Sequence, residues 1–237
     1  MRQPLTIAAV QPLIRSDDVA GNAGRHGETI LASGADLVVF PELSLSGYEL
    51  DAGAISASDE RLAPIIDACR RSDSIALIGA PVRGPSGGRS VGMFVVDADG
   101  AQIAYRKMWL GGDEPAHLVA GDVPAVLDVR GWRIGLAICK DTGVAAHAAA
   151  TVALGCDVYA GGVLETAADA AVQPRRARAI ANRHRVWVAL SSFAGSTGGG
   201  YTSAAGESAI WRPDGSVAAR ATSAVGDLAV ATIPVAG

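Results

Sequence analysis

Short apolar runs rich in β-forming residues alternate with segments of helical periodicity along almost the whole 237-residue chain. This alternation constrains the fold most, because strands separated by helical segments assemble into layered α/β structures. The pattern predicts strands over 5–10, 35–40, 74–82, 91–97, 102–106, 125–129, 133–139, 157–161, 186–192, 208–212 and 226–233. It predicts helices over 19–33, 59–72, 143–154 and 165–185, with Pro174 as a kink or a start in the last. No linker or repeat interrupts the sequence, so we expect one domain over 1–237.

Composition argues against several classes of partner. Hydrophobic residues make up 49% of the chain and charged residues 19%, which is typical of a globular protein. A net charge of −4 and the lack of a Lys/Arg-rich run argue against nucleic acid. No stretch reaches the about 18 apolar residues of a membrane span, and the N-terminal apolar run is typical of a first strand, not a signal peptide. Three cysteines make a poor disulfide framework, so we expect a cytoplasmic protein.

Cys139 is the first candidate functional residue. It ends an apolar run, and Lys140-Asp141-Thr142-Gly143 follows before the next predicted helix. A cysteine at a strand-to-helix turn lies at the carboxyl edge of a sheet, where functional groups collect in α/β proteins. Nearby helix N–H groups favour a thiolate and can bind an oxyanion. The alternative is a buried, inert thiol, which is a common fate of free cysteines.

Glu42 and Lys107 are the next candidates. Glu42 follows an apolar strand and Pro41, where apolar walls would raise the proton affinity of its carboxylate and suit it to act as a general base. Lys107 follows the predicted hairpin strand, and 18 of the 20 basic residues are Arg, so a lysine there suggests a site that needs a compact point charge. The alternatives are a solvated loop glutamate and a solvated edge lysine.

The order and local sequences of these candidates resemble the nitrilase, or carbon–nitrogen hydrolase, superfamily from end to end. The pieces that carry the resemblance are Ile7-Ala8-Ala9-Val10-Gln11, Gly34 to Leu43 with Phe40-Pro41-Glu42, Tyr105-Arg106-Lys107, Gly135-Leu136-Ala137-Ile138-Cys139 and Ala177-Arg178-Ala179. The resemblance implies a four-layer α-β-β-α sandwich that pairs into a homodimer or a higher homo-oligomer. It also implies catalysis without a cofactor.

The resemblance further implies a catalytic triad. Glu42 would be the general base, Cys139 the nucleophile and Lys107 the cation that stabilises the tetrahedral intermediate. Glu114 matches the second, supporting glutamate of the family. Residues expected to support the triad or bind substrate are Lys140, Asp141, Tyr48, Trp109 and Gly162.

Departures from the family bear on the substrate. Many members carry Arg-Phe-Pro-Glu after the cysteine turn, and this chain does not, so an arginine that could hold a substrate carboxylate is missing. Lys140 could replace it and favour anionic substrates, or it could pair with Asp141 or Glu114, or remain solvated. The four histidines lack ligand spacing, so no metal site is expected, and Cys69 and Cys156 are expected to be structural.

The expected reaction is hydrolysis of a C–N bond in a small linear amide through a cysteine thioester, with release of ammonia or an amine. Hydrolysis of N-carbamoyl compounds or of nitriles remains open as an alternative within the family. The alternative from another class is a non-catalytic binding module that keeps the fold. No residue pattern in the sequence chooses among the substrates.

Overall fold

A computed structural model describes residues 2–235, which contain fourteen strands and five α-helices. The strands are β1 Leu5–Val10, β2 Leu37–Val39, β3 Ile75–Arg83, β4 Arg89–Val96, β5 Ala101–Arg106, β6 Val126–Val129, β7 Trp132–Ile138, β8 Val158–Val163, β9 Trp187–Ser192, β10 Ala194–Gly195, β11 Ala204–Ala205, β12 Ala209–Trp211, β13 Val217–Arg220 and β14 Leu228–Ile233. The helices are α1 Val19–Ser33, α2 Ala63–Ser72, α3 Glu114–His117, α4 Ala145–Ala153 and α5 Val172–His184. Short 3-10 turns precede α2, follow β7 and precede α5.

Twelve of these strands form two six-stranded mixed sheets. The first has the order β14-β1-β2-β3-β4-β5, and the second has the order β13-β12-β9-β8-β7-β6. Each sheet has three parallel strands at its centre, β1-β2-β3 in one and β7-β8-β9 in the other, with antiparallel strands on both sides. Parallel central strands bring their carboxyl ends to one edge of each sheet, which is where loops can gather functional groups.

Apolar packing divides the molecule into four layers. Between the two sheets lies a core that contains Ile7, Leu37 and Leu77 from the first sheet and Leu136 and Ala160 from the second. The outer face of the first sheet packs against α1 and α2, and that of the second packs against α4 and α5. The predicted α-β-β-α sandwich is therefore confirmed. No helix in the described part of the chain combines the length and apolarity needed to cross a membrane.

Most predicted elements occur within two residues of their expected bounds, because their sequence signals are local. For example, the Asp18 carboxylate accepts a hydrogen bond from the Gly21 N–H at the start of α1, and Gly34 ends that helix with a φ of 60°. The predicted helix over 165–185 was wrong at its start, since residues 167–169 form a separate 3-10 turn and α5 begins at Val172. Pro174 therefore lies in the first turn of α5, where it needs no kink. The sequence prediction also missed the strands β10, β11 and β13 and the one-turn helix α3.

Candidate active site

Three loops from the two sheets converge on one buried site. Glu42 follows β2, and Lys107 follows β5 directly, so both come from the first sheet, whereas Cys139 directly follows β7 of the second. The backbone around Glu42 is held closely from two sides by glycines. A Cβ atom at Gly162 of β8 would lie 2.6 Å from the Glu42 N atom, and one at Gly79 of β3 would overlap the same segment. These positions therefore require glycine, because any side chain would push the Glu42 loop outward.

Lys107 joins two glutamates inside the protein. Its Nζ atom donates hydrogen bonds of 2.6 Å to Glu42 Oε1 and of 2.6 Å to Glu114 Oε1, and all three side chains are at most 1% exposed. Charge-assisted hydrogen bonds of this length hold the ammonium group in one place. The three side chains that the sequence predicted as general base, stabilising cation and supporting glutamate therefore form one cluster.

Glu114 is anchored on all sides. Its Oε1 atom also accepts a hydrogen bond of 2.8 Å from the Tyr48 hydroxyl, and its Oε2 atom accepts one of 2.7 Å from the Gly111 N–H. The carboxylate therefore accepts hydrogen bonds at both oxygens. It can fix the direction in which Lys107 points, which agrees with its predicted supporting role.

Glu42 differs from Glu114 because one of its oxygens is unused. Its Oε2 atom is buried and has no hydrogen-bond partner among the described residues. Burial raises the pKa of Glu42 to about 7, opposed by the Lys107 ammonium and reinforced by the Glu114 carboxylate. A carboxylate with this proton affinity and one free oxygen can accept and return a proton near neutral pH.

Lys107 and Cys139 are held in defined protonation states. Burial alone would lower the pKa of Lys107, but the negative charges of Glu42 and Glu114, and of Cys139 once it is ionised, outweigh it, and the net shift is upward. Burial raises the pKa of the Cys139 thiol, and the Glu42 carboxylate raises it further. At neutral pH the site therefore contains an ammonium and a thiol, so the thiol must lose its proton during the reaction rather than before it.

The Cys139 backbone adopts a conformation that side chains disfavour. Its φ is +42°, and its Sγ atom donates a long hydrogen bond of 3.5 Å to the Leu164 carbonyl. A left-handed backbone at a residue other than glycine costs roughly 1–2 kcal/mol and persists only when its surroundings enforce it. The tight turn directs the sulfur atom out of the end of β7 and towards the pocket.

A pocket of about 970 Å³ opens above this cluster and makes Cys139 accessible. Its inner lining includes Glu42, Lys107, Glu114, Cys139 and Tyr48. Its outer lining includes Leu164, Glu165, Arg176, Tyr201, Lys140, Glu49, Asp51 and Asp113. Many of these side chains are charged, so the pocket can bind a small molecule that carries polar groups.

Four other predicted site residues lie in different places around the pocket. Lys140 is exposed at the mouth, where its Nζ atom donates a hydrogen bond of 2.6 Å to the Leu110 carbonyl. The predicted alternative of an ion pair with Asp141 or Glu114 was wrong, because neither carboxylate bonds Lys140 in the described structure. Asp141 and Gly162 are buried behind the lining and support the loops. Trp109 is 42% exposed and does not line the pocket, although its backbone N–H donates a hydrogen bond to Asp141.

The sequence analysis missed several residues that line the pocket, among them Glu165, Arg176 and Tyr201. Glu165 follows β8 at the same edge as Cys139, but it was assigned to the start of a helix. Its partners are Gln173 at 2.8 Å and Arg176 at 3.5 Å. Tyr201 follows the Gly198-Gly199-Gly200 loop and packs edge-on against Tyr48 at 5.1 Å. The position of Glu165 directly after the β8 end was the available signal.

The comparison with families agrees with this geometry. The sequence model of the family described as carbon-nitrogen hydrolase matches residues 6–237. The chain belongs to the carbon-nitrogen hydrolase family. The family membership that the sequence motifs predicted is therefore confirmed. No group of three or more His, Cys, Asp or Glu side chains within residues 2–235 of this carbon-nitrogen hydrolase is arranged to hold a metal ion.

Curated relatives match this chain over only part of their own length. A Pseudomonas protegens protein described as a hydrolase in the pqqF 5′ region is 35% identical over 150 residues, which is 58% of this chain and 51% of that protein. The omega-amidase YafV of Escherichia coli is 29% identical over 136 residues, which is 55% of this chain and 52% of that protein. The matched region thus spans about half of each relative.

Solved structures of other proteins superpose on nearly the whole of this carbon-nitrogen hydrolase. An amidase from Nesterenkonia superposes with a TM-score of 0.86 at 22% identity, covering 99% of this chain and 92% of that one. Saccharomyces cerevisiae Nit3, of the nitrilase superfamily, superposes with a TM-score of 0.86 at 20% identity, covering 98% and 90%. At these identities the likeness shows a common fold.

Proposed function

We propose that the protein hydrolyses the C–N bond of a small linear carboxamide through a thioester on Cys139. The observation that carries the proposal is the free, buried Oε2 atom of Glu42. Lys107 holds the other oxygen, Oε1, of the same carboxylate, and the Cys139 thiol lines the open pocket beside it. A base, a fixed cation and a nucleophile are the three groups that acyl transfer requires.

In the first half of the reaction, Glu42 takes the proton of the Cys139 thiol while the sulfur attacks the amide carbon. The carbonyl oxygen becomes an oxyanion, which the Lys107 ammonium and the Lys140 N–H stabilise. Glu42 then gives its proton to the amide nitrogen, the C–N bond breaks, and ammonia or an amine leaves. A pKa of about 7 suits Glu42 to both transfers, because a carboxylate with this pKa can both gain and lose a proton near neutral pH.

In the second half, Glu42 takes a proton from a water molecule that attacks the thioester carbon. The same two donors stabilise the second oxyanion. The C–S bond breaks, the carboxylic acid product leaves, and Glu42 returns its proton to the Cys139 sulfur. Lys107 stays protonated throughout, because both neighbouring carboxylates favour its charged form.

Small amides as substrates are supported by the Nesterenkonia amidase. One of its structures shows covalent addition of the acetamide moiety of fluoroacetamide at the active-site cysteine, and others show complexes with acrylamide and butyramide. The omega-amidase relative points to the same class of bond. Carbamoyl compounds and nitriles remain second candidates, because the same three groups could serve them. The complete cluster favours an enzyme over a non-catalytic binding module.

Ammonia release from a panel of linear amides, carbamoyl compounds and nitriles tests the proposal. We expect turnover with short carboxamides, and we expect Cys139→Ser to abolish it while the fold remains intact, because Glu42 cannot readily activate an alcohol. Cys156→Ala is the matched control, since Cys156 is buried away from the pocket. Iodoacetamide should label Cys139 before Cys69 and Cys156. Turnover by pure Cys139→Ser would contradict the assignment.

The homodimer expected from the family resemblance and the cytoplasmic location expected from the composition stay predictions. Light scattering coupled to gel filtration would test the first.

A further inference from the structure

Lys107 and Cys139 belong to different sheets, and one buried carboxylate connects the loops that carry them. Asp141 Oδ1 accepts a hydrogen bond of 3.0 Å from the backbone N–H of Trp109, two residues after Lys107. Asp141 Oδ2 accepts one of 2.9 Å from the Ile138 N–H, directly before Cys139. The same residue therefore holds both loops, and its orientation affects the distance between the ammonium and the thiol.

Asp141 is itself held by a chain of three buried side chains. The Tyr105 hydroxyl donates a hydrogen bond of 2.8 Å to Asp141 Oδ2. The same hydroxyl lies 2.8 Å from His147 Nε2, and His147 Nδ1 lies 2.9 Å from the Tyr159 hydroxyl. The chain thus runs from β5 of the first sheet through α4 to β8 of the second.

The directions of these bonds follow from Asp141. An ionised carboxylate only accepts, so the Tyr105 hydroxyl donates its single proton to Asp141. The Tyr105 oxygen must then accept from His147, which requires a proton on Nε2. The neutral imidazole has a free Nδ1, and the Tyr159 hydroxyl donates to it. Each donor in such a chain polarises the next, so the end of the chain influences its start.

We propose that His147 and Tyr159 are positioning residues of the reaction. Through Tyr105 they orient the Asp141 carboxylate, and Asp141 sets the relative position of Lys107 and Cys139. Neither residue lines the pocket, so substrate binding does not require them. The proposal rests on the proposed function for its kinetic consequence, but the hydrogen-bond chain exists independently of any substrate.

His147→Leu and His147→Gln form the decisive pair of variants. Leucine fills the space without a donor, so we expect kcat to fall about tenfold or more, because small misplacements of reacting groups are costly. We expect KM to change by less than about twofold, since the pocket is untouched. Glutamine can place an N–H near the position of Nε2, so we expect it to restore most of kcat. Thr151→Val is the control on the same helix, because its buried hydroxyl has no partner among the described residues.

A double-mutant cycle tests the route of the effect. If His147 acts through Tyr105, His147→Leu should have little further effect on kcat in a Tyr105→Phe background. Additive losses would show that His147 acts elsewhere and would overturn the proposal.

The tautomer gives a readout that needs no variant and no turnover. Side-chain ¹⁵N spectra should show His147 as the Nε2–H form near neutral pH. His26 provides an internal reference, because its Nδ1 lies 2.6 Å from the Asn22 carbonyl and its Nε2 lies 2.9 Å from the Ser44 hydroxyl. That geometry requires the opposite, Nδ1–H form. An Nδ1–H form of His147 would overturn the proposal.

Failure of the two proposals can be told apart. If the unaltered protein releases ammonia and His147→Leu retains its kcat, the positioning role is wrong and the proposed function stands. If the unaltered protein hydrolyses nothing in the panel, the proposed function is wrong. In that case, the rate at which iodoacetamide modifies Cys139 is the measurement to compare among the variants instead of kcat. A slower rate in His147→Leu that recovers in His147→Gln would support the positioning role, and equal rates would refute it.

Discussion

Replacing Glu42 by glutamine should separate activity from stability. The substitution keeps the shape of the side chain but removes a charge that the protein buries completely. Burial raises the pKa of Glu42 from 4.5 to about 7, so the folded protein holds this proton more tightly than the unfolded chain does. The unaltered protein should therefore lose stability as the pH rises from 4.5 through 7, as the buried group ionises.

The magnitude follows from the two pKa values. A difference from 4.5 to about 7 corresponds to roughly 3 kcal/mol in full, at 1.36 kcal/mol for each pKa unit. Between about pH 5 and pH 8, linkage leaves about 2 to 3 kcal/mol of this change, because part of the ionisation of the unfolded chain is complete at the lower pH. Glu42→Gln lacks the titrating group, so its stability should fall by about 2 to 3 kcal/mol less over the same range.

Urea unfolding at the two pH values measures the change in the free energy of unfolding for each protein. The comparison uses only the difference between pH values, so any constant effect of the new amide cancels. Glu28→Gln, at an exposed position of α1, is the control for loss of one carboxylate. The same pH dependence in Glu42→Gln and in the unaltered protein, within about 0.5 kcal/mol, would refute the raised pKa and weaken its use as the base. Amide turnover by Glu42→Gln should be lost at both pH values.

Three further outcomes are expected. Lys107→Arg should lose nearly as much kcat/KM as Lys107→Ala, because two carboxylates at 2.6 Å leave no room for a planar guanidinium, and retention of more than about a tenth would contradict this. The value of kcat/KM should rise with pH around 7, because Glu42 must be deprotonated to act, and a rise centred near 4.5 instead would point to another base. Lys140→Met should raise KM for anionic amides and leave neutral amides nearly unchanged if this exposed lysine at the pocket mouth binds a substrate anion, whereas equal effects would exclude that role.

The local signals in the sequence were sufficient for the elements and for the family. Apolar runs, caps and turn residues act over a few positions, so the bounds of α1 and β1 could be read directly from the chain. The motifs around Glu42, Lys107 and Cys139 predicted the family, which the comparison with family models confirmed. The start of α5 was misplaced because residues 165–171 have helical composition, although 165–168 line the pocket and 167–169 form a 3-10 turn.

Only the tertiary structure decided how these residues meet. Glu42 and Cys139 are 97 positions apart in the chain, and the packing of two sheets brings their loops together. The pKa of Glu42 depends on burial and on Glu114, and neither is a property of neighbouring residues in the sequence. The chain from Asp141 through Tyr105 and His147 to Tyr159 likewise joins four elements that no local pattern relates. Sequence patterns determine local conformation, whereas distances, burial and the electrostatic field arise only when separate elements pack, so the chemistry of this site depended on the fold.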